Sequence, residues 1–161
     1  MTQTEPRYAR AQVVLHWLTL ALLLASFVSH ESMKDAWRAL TRNTEGFTPD
    51  IGVQVHVIVG VSVLLLTLAR LALRLRLGAP APTPGQHPLM TIAAATVHGL
   101  IYLMLLALPL TGALAWFGAV TDLAEVHEVL FNVTLALVAA HVGAALFHQF
   151  VIRDNLLARM R

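Results

Sequence analysis

Four apolar runs, each long enough to cross a bilayer, leave this chain few ways to fold. They extend from Ala11 to Ser29, Ile51 to Leu73, Leu89 to Phe117 and Leu123 to Ile152. A helix needs about 20 residues to cross about 30 Å of hydrocarbon, and within it every backbone polar group must be satisfied internally. The predicted fold is therefore an all-α membrane protein. It is a single domain over residues 1–161, an antiparallel four-helix transmembrane bundle joined by short connections. The first run does not read as a removable signal, because no small-x-small cleavage site follows it and a second span does. Only 12% of the residues are charged, against about 25% in a soluble domain.

The charges that remain orient the bundle. Arg7 and Arg10 precede the first span, and Arg153, Arg159 and Arg161 follow the last. Arg70, Arg74 and Arg76 count with the second connection, Lys34, Arg38 and Arg42 with the first, and the third, Gly118 to Glu125, has none. An inside N-terminus puts eight basic residues in the cytoplasm and three outside, so both termini are expected to be cytoplasmic. A net charge of +2 carried on span flanks is an orientation signal and gives no basis for nucleic-acid binding. The absence of Cys removes disulfides, thiolate clusters and C-x-x-C-H haem attachment together.

Gly78-Ala-Pro-Ala-Pro-Thr-Pro-Gly85 cannot be helical and reads as a stiff connector. Met33, Ala36, Trp37 and Leu40 recur at helical spacing after the first span, which predicts a short interfacial helix. Pro109 is expected to kink the third span or free a carbonyl there, and Trp116 and Phe117 to mark the outer interface.

Eight histidines in so apolar a chain carry the functional signal. A histidine facing hydrocarbon is unfavourable unless paired, hydrated or ligated. His127 and His141 are fourteen residues apart in the last span, about four turns and about 21 Å, so they share a face at two depths. Haem b needs axial imidazoles and no covalent attachment. His16 lies at the depth of His141 on the inner side and His56 at the depth of His127 on the outer side, so each pair can clamp one haem. Gly60 and Gly143 lie near these ligands, where a missing side chain lets a flat macrocycle approach. Spacing alone also accepts His16 with His30, likewise fourteen apart, although His30 falls where the chain turns polar and reads as solvated. His98 and His148 are expected near the inner haem edge as quinone or propionate contacts, with Arg153 as a further propionate candidate. His87, in the connector, reads as solvated.

The motifs resemble those of the four-helix bacterial cytochrome b561 family of dihaem membrane proteins along nearly the whole chain. Arg10-Ala-Gln-Val-Val-Leu-His16-Trp17 resembles its opening, and His56-x3-Gly60 with Arg70-Leu71 and Arg74-Leu75 its second helix. His98-x3-Tyr102 with Pro109-Leu-Thr-Gly112 resembles the third, and His127-Glu128 with His141-x6-His148 the fourth. The ending Arg153-Asp154-Asn155-x-Leu157-x-Arg159-Met160 is similar too. This resemblance implies two haem b groups, with His16 paired to His141 and His56 to His127, and so decides against His30. It implies a quinone, ubiquinone in similar proteins, near the inner haem, and places the chain in the bacterial inner membrane. It also implies an oxidoreductase in which superoxide or another periplasmic donor is oxidised outside. The chain departs from the pattern on that outer face: its third connection is short and without Lys or Arg, and Val126 stands where an aromatic residue is common.

The alternatives are an anchoring cytochrome b subunit or electron conduit for a separate dehydrogenase or periplasmic partner, and a haem-free bundle. Hydrolase chemistry lacks its motifs: no G-x-S-x-G, H-E-x-x-H or P-loop occurs.

Overall fold

The computed structural model describes residues 7–82 and 85–160. Thr83 and Pro84 of the connector and Arg161 of the charge count lie outside the described residues. Among those described, the chain is all helical, without a strand. Helices α1 (Arg10–Val28), α3 (Ile51–Leu77), α4 (Pro88–Gly118) and α5 (Asp122–Phe147) are each long and apolar enough to cross a membrane. The short α2 (His30–Thr41) follows α1, and α5 continues through a π-helical turn, His148–Ile152, before a 3-10 turn at Leu156–Met160. Short connections make neighbouring spans antiparallel, so one end of the bundle carries both termini and the other carries α2. The first is the end that charge assigns to the cytoplasm, the inner end.

Most expected span limits hold to within a residue or two. The exception is the end of α3, which runs four residues past the expected Leu73 and takes Arg74 and Arg76 into the helix rather than the connection. Arginine is a good helix former, and Arg74 and Arg76 in the last turn face the negative end of the helix dipole. Gly78 then ends α3 at φ 74°, where a side chain would be strained. At its other end Asp50 caps α3, its carboxylate accepting from Val53 N at 3.3 Å. Pro88 opens α4, where its missing N–H is harmless, and Pro109 leaves that helix continuous.

The packed core sits at mid-depth. Val59, Val63 and Leu105 are buried, with Leu22, Leu23, Ala25 and Ile101 against them. Outside it large apolar side chains face outward, Val28, Leu75 and Leu65 among them, as a bundle solvated by lipid requires. Hydroxyls inside the bundle bond to their own helix: Thr19 to Leu15 O, Thr67 to Val63 O and Thr134 to Leu130 O. At the inner end the C-terminal tail folds back. Trp17 Nε1 donates to Met160 O at 3.3 Å, and Arg159, almost fully buried, donates to Ala81 O at 2.7 Å.

Candidate functional site

Two layers of side chains, one on each side of the Val59–Val63–Leu105 core, hold most of the histidines. Helices α3, α4 and α5 each contribute one residue to each layer, fourteen residues apart: His56 and Arg70, Gly112 and His98, His127 and His141; α1 gives His16 to the inner layer, and His30, fourteen residues further on, enters the outer layer from the start of α2. The contacts confirm the registration between helices. His30 meets His56, Gly112 meets His127, Arg70 meets His16, and His98 meets His141.

In the outer layer the rings of His56 and His127 are 6.3 Å apart between centroids; in the inner layer those of His16 and His141 are 6.2 Å apart. A metal–imidazole bond of about 2 Å on each side, plus about 1 Å from each nitrogen to its ring centre, gives about 6 Å. Both pairs therefore stand at the separation that one bridging metal ion requires, and in the outer layer His30 and His56, also 6.3 Å apart, meet the same measure. His98 lies only 5.0 Å from His141, too near to ligate from the opposite side of the same metal. In this layer, spacing across the bundle thus favours His16 as the partner of His141.

Hydrogen bonds orient the outer rings. His127 Nδ1 donates to Leu108 O at 2.8 Å, the carbonyl just before Pro109, which leaves Nε2 bare to ligate. Thr111 Oγ1 lies 3.4 Å from the same Nδ1, and Ser29 Oγ lies 3.3 Å from His56 Nδ1. A cavity of about 430 Å³ opens beside this pair, lined by His30, His56, Gly60, Gly112, His127 and Trp116 among others. A side chain at Gly60 would enter free space, whereas one at Gly112 would strike His127. In the inner layer Arg70 Nη2 donates to His16 Nδ1 at 3.0 Å, and His98 Nδ1 donates to Ala94 O at 2.6 Å. The paired rings, the noncovalent setting and the cavity together fit haem b.

Several sequence expectations are corrected. His30 is not a solvated loop residue: it opens α2, is partly buried, and stacks on Phe131 with centroids 4.6 Å apart. Gly143 is exposed with open space around it and no contact to the inner layer, since two residues turn a helix by about 200° away from His141. Arg153 is exposed too, in a left-handed conformation at φ 60°, with Nε donating to Phe150 O. His148 is occupied by Asp154, its Nδ1 2.6 Å from Oδ2, in a pair almost closed to solvent. His87 is exposed as expected and caps α4, accepting from Leu89 N. Gly112, Arg70 and Asp154 are residues whose part in these layers only packing reveals.

The outer cavity is not a cationic funnel. Lys34 is paired with Glu31 at 3.2 Å and Arg38 with Asp35 at 2.5 Å, and Glu125 and Glu128 also line the wall.

The family model described as prokaryotic cytochrome b561 matches residues 7–161. Cytochrome b562 of Cereibacter sphaeroides is 40% identical over 99% of this chain and 98% of its own length. Cytochrome b561 homolog 1 of Escherichia coli K12 is 30% identical over 96% of each chain. Probable superoxide oxidase CybB of Yersinia pestis is 29% identical over 96% of this chain and 95% of its own.

Proposed function

From the premise that the chain belongs to the prokaryotic cytochrome b561 family, a family of membrane electron-transfer proteins whose cofactor is haem b, we propose that it is a dihaem superoxide:quinone oxidoreductase of the bacterial inner membrane. The observation that carries this reading is the presence of two imidazole pairs, at two depths, both at metal-bridging separation. His16 and His141 would hold the inner haem iron, and His56 and His127 the outer. Haem b supplies reversible one-electron chemistry when bound.

The overall reaction oxidises two superoxide anions to dioxygen on the outer side and reduces one quinone to quinol on the inner side, with uptake of two protons. With two histidines at each haem, the chain would offer superoxide and dioxygen no open metal site and would favour outer-sphere electron transfer. The Leu108 carbonyl fixes the His127 tautomer and raises the basicity of Nε2. Val59, Val63 and Leu105 exclude water from the space between the layers. At the inner end Asp154 accepts from His148 Nδ1 and orients the ring; only as an imidazolium paired with that carboxylate would His148 hand an Nε2 proton to a quinone.

A second reading, an anchoring cytochrome b subunit or a conduit for a separate dehydrogenase or periplasmic partner, draws support from the neutralised outer cavity. Lys34 and Arg38 are both paired there, so a small anion is weakly attracted.

A pyridine-haemochrome assay and reduced-minus-oxidised spectra of the purified chain test the proposal. Two low-spin b haems are expected in the wild type and one in each of His127→Ala and His141→Ala. Stopped-flow mixing with superoxide and then quinone separates the two readings, since a conduit for another donor stays oxidised under superoxide. A colourless protein from haem-replete cells would overturn both.

A further inference from the structure

Among the described residues, Arg70 stands inside the bundle in no ion pair with a carboxylate. Arg70 lies seven residues before Leu77, the end of α3, and thus about 10 Å below the inner end of that helix. Its Nη2 donates to His16 Nδ1, and its guanidinium carbon lies 5.5 Å from the centre of the Tyr102 ring. Among the described residues the ion pairs are Lys34–Glu31, Arg38–Asp35 and His148–Asp154, and none includes Arg70. An intramembrane guanidinium without an anion is strongly unfavourable, and such residues mark a binding function.

The contact with His16 shows what the missing anion must do. A guanidinium only donates, so His16 Nδ1 accepts and the ring proton resides on Nε2. A metal at Nε2 moves that proton to Nδ1, where it faces the N–H groups of Arg70. Ligation by His16 therefore releases Arg70 and requires a new acceptor at the same depth. We propose that Arg70 is the anion receptor of the inner layer and binds a carboxylate of the tetrapyrrole held between His16 and His141. A carboxylate matches the planar fork of guanidinium bidentately, and the Tyr102 ring supports its face. The inference rests on the dihaem reading above. A lipid phosphate shares the same chemistry, and the experiment separates the two sources.

The full chain, produced without haem, is loaded in lipid-free detergent with iron protoporphyrin IX or with its dimethyl ester, which lacks free carboxylates. The wild type is expected to take the ester at the inner layer roughly ten- to a hundredfold more weakly than the free acid. Arg70→Gln should erase that difference, and Arg70→Lys should restore part of it. In the holoprotein, Arg70→Gln should shift the inner midpoint potential to more negative values, because a positive charge beside the iron disfavours its oxidised form; the outer potential should not move. Equal inner loading of acid and ester by the wild type overturns the proposal, even if Arg70→Gln fails to fold. So does an Arg70→Gln variant with unchanged loading and unchanged inner potential. Equal loading combined with an Arg70-dependent potential that appears only on adding phosphatidylglycerol would assign the anion to lipid and overturn it equally. A wild type with no inner haem would refute the dihaem function itself, and this inference with it.

Discussion

Replacing Gly112 by Ala adds one methyl group against the ring of His127, and the structure gives the size of the conflict. The new Cβ would lie 2.8 Å from Cε1, 2.9 Å from Nδ1 and 3.5 Å from Nε2. Carbon atoms in contact prefer about 3.5 Å, so the imidazole must retreat by about 0.7 Å. It is not free to do so, because Nδ1 is tied to Leu108 O at 2.8 Å on the same helix. Ligating geometry tolerates displacements of about 0.5 Å. Overpacking costs about 1–3 kcal/mol and the loosened hydrogen bond about 0.5–1.5 kcal/mol, which together weaken outer-haem retention roughly tenfold to a thousandfold. His141 lies fourteen residues further along α5, with His16 beside it, and both should be untouched. The haem content of purified Gly112→Ala should therefore fall towards one per chain, and redox titration should show the inner potential unchanged. A variant that keeps two haems and both wild-type potentials would refute the claim that this glycine places His127.

Three further outcomes are expected. Asp154→Asn removes the carboxylate that orients His148 and should slow quinone reduction at least tenfold or so while dithionite still reduces both haems; equal quinone rates in stopped flow would show the dyad to be merely structural. Glu125→Gln with Glu128→Gln leaves the outer cavity more positive and should raise the rate of reduction by superoxide, an increase that fades with added salt; no change at low ionic strength would count against an anionic donor. Asp50→Ala removes the α3 cap and should lower stability by about 1 kcal/mol in detergent unfolding without altering the haem spectrum, whereas loss of haem would mean that the cap serves the site.

What could be read before packing was known is what lies on one helix. Hydropathy fixes the spans because lipid imposes one length on all of them, and it fails at the end of α3 because Arg74 and Arg76 look like a connection while remaining good helix formers. The fourteen-residue interval within α5 was legible, since His127 and His141 share a chain and a period. Registration between helices was legible for His16 with His141, His56 with His127 and His98 beside the inner pair, because span limits set their depths, and not for the residues around them. His30 reads as polar edge until Phe131 is found stacked on it, and Arg70 reads as an orientation charge until His16 is found beside it. Gly112 carries no chemistry of its own, and only the ring it touches gives it a role. His148 was placed by its period seven residues after His141, but Asp154, after the π-helical turn, engages it instead.

The common fourteen-residue interval has a consequence for how such a molecule can change. Each inserted residue lengthens a helix by 1.5 Å and turns it by about 100°. A single insertion between the layers of α3, α4 or α5 would swing one of its two residues out of the bundle, and a change of about seven residues in all three, matched between His16 and His30, restores the facing arrangement, about 11 Å longer or shorter. The gap between the layers is therefore a stepped quantity that drift in sequence cannot trim. Charge, hydrogen bonding and packing around each ring remain adjustable one substitution at a time, so the speed of transfer in this architecture evolves through driving force, with distance held constant.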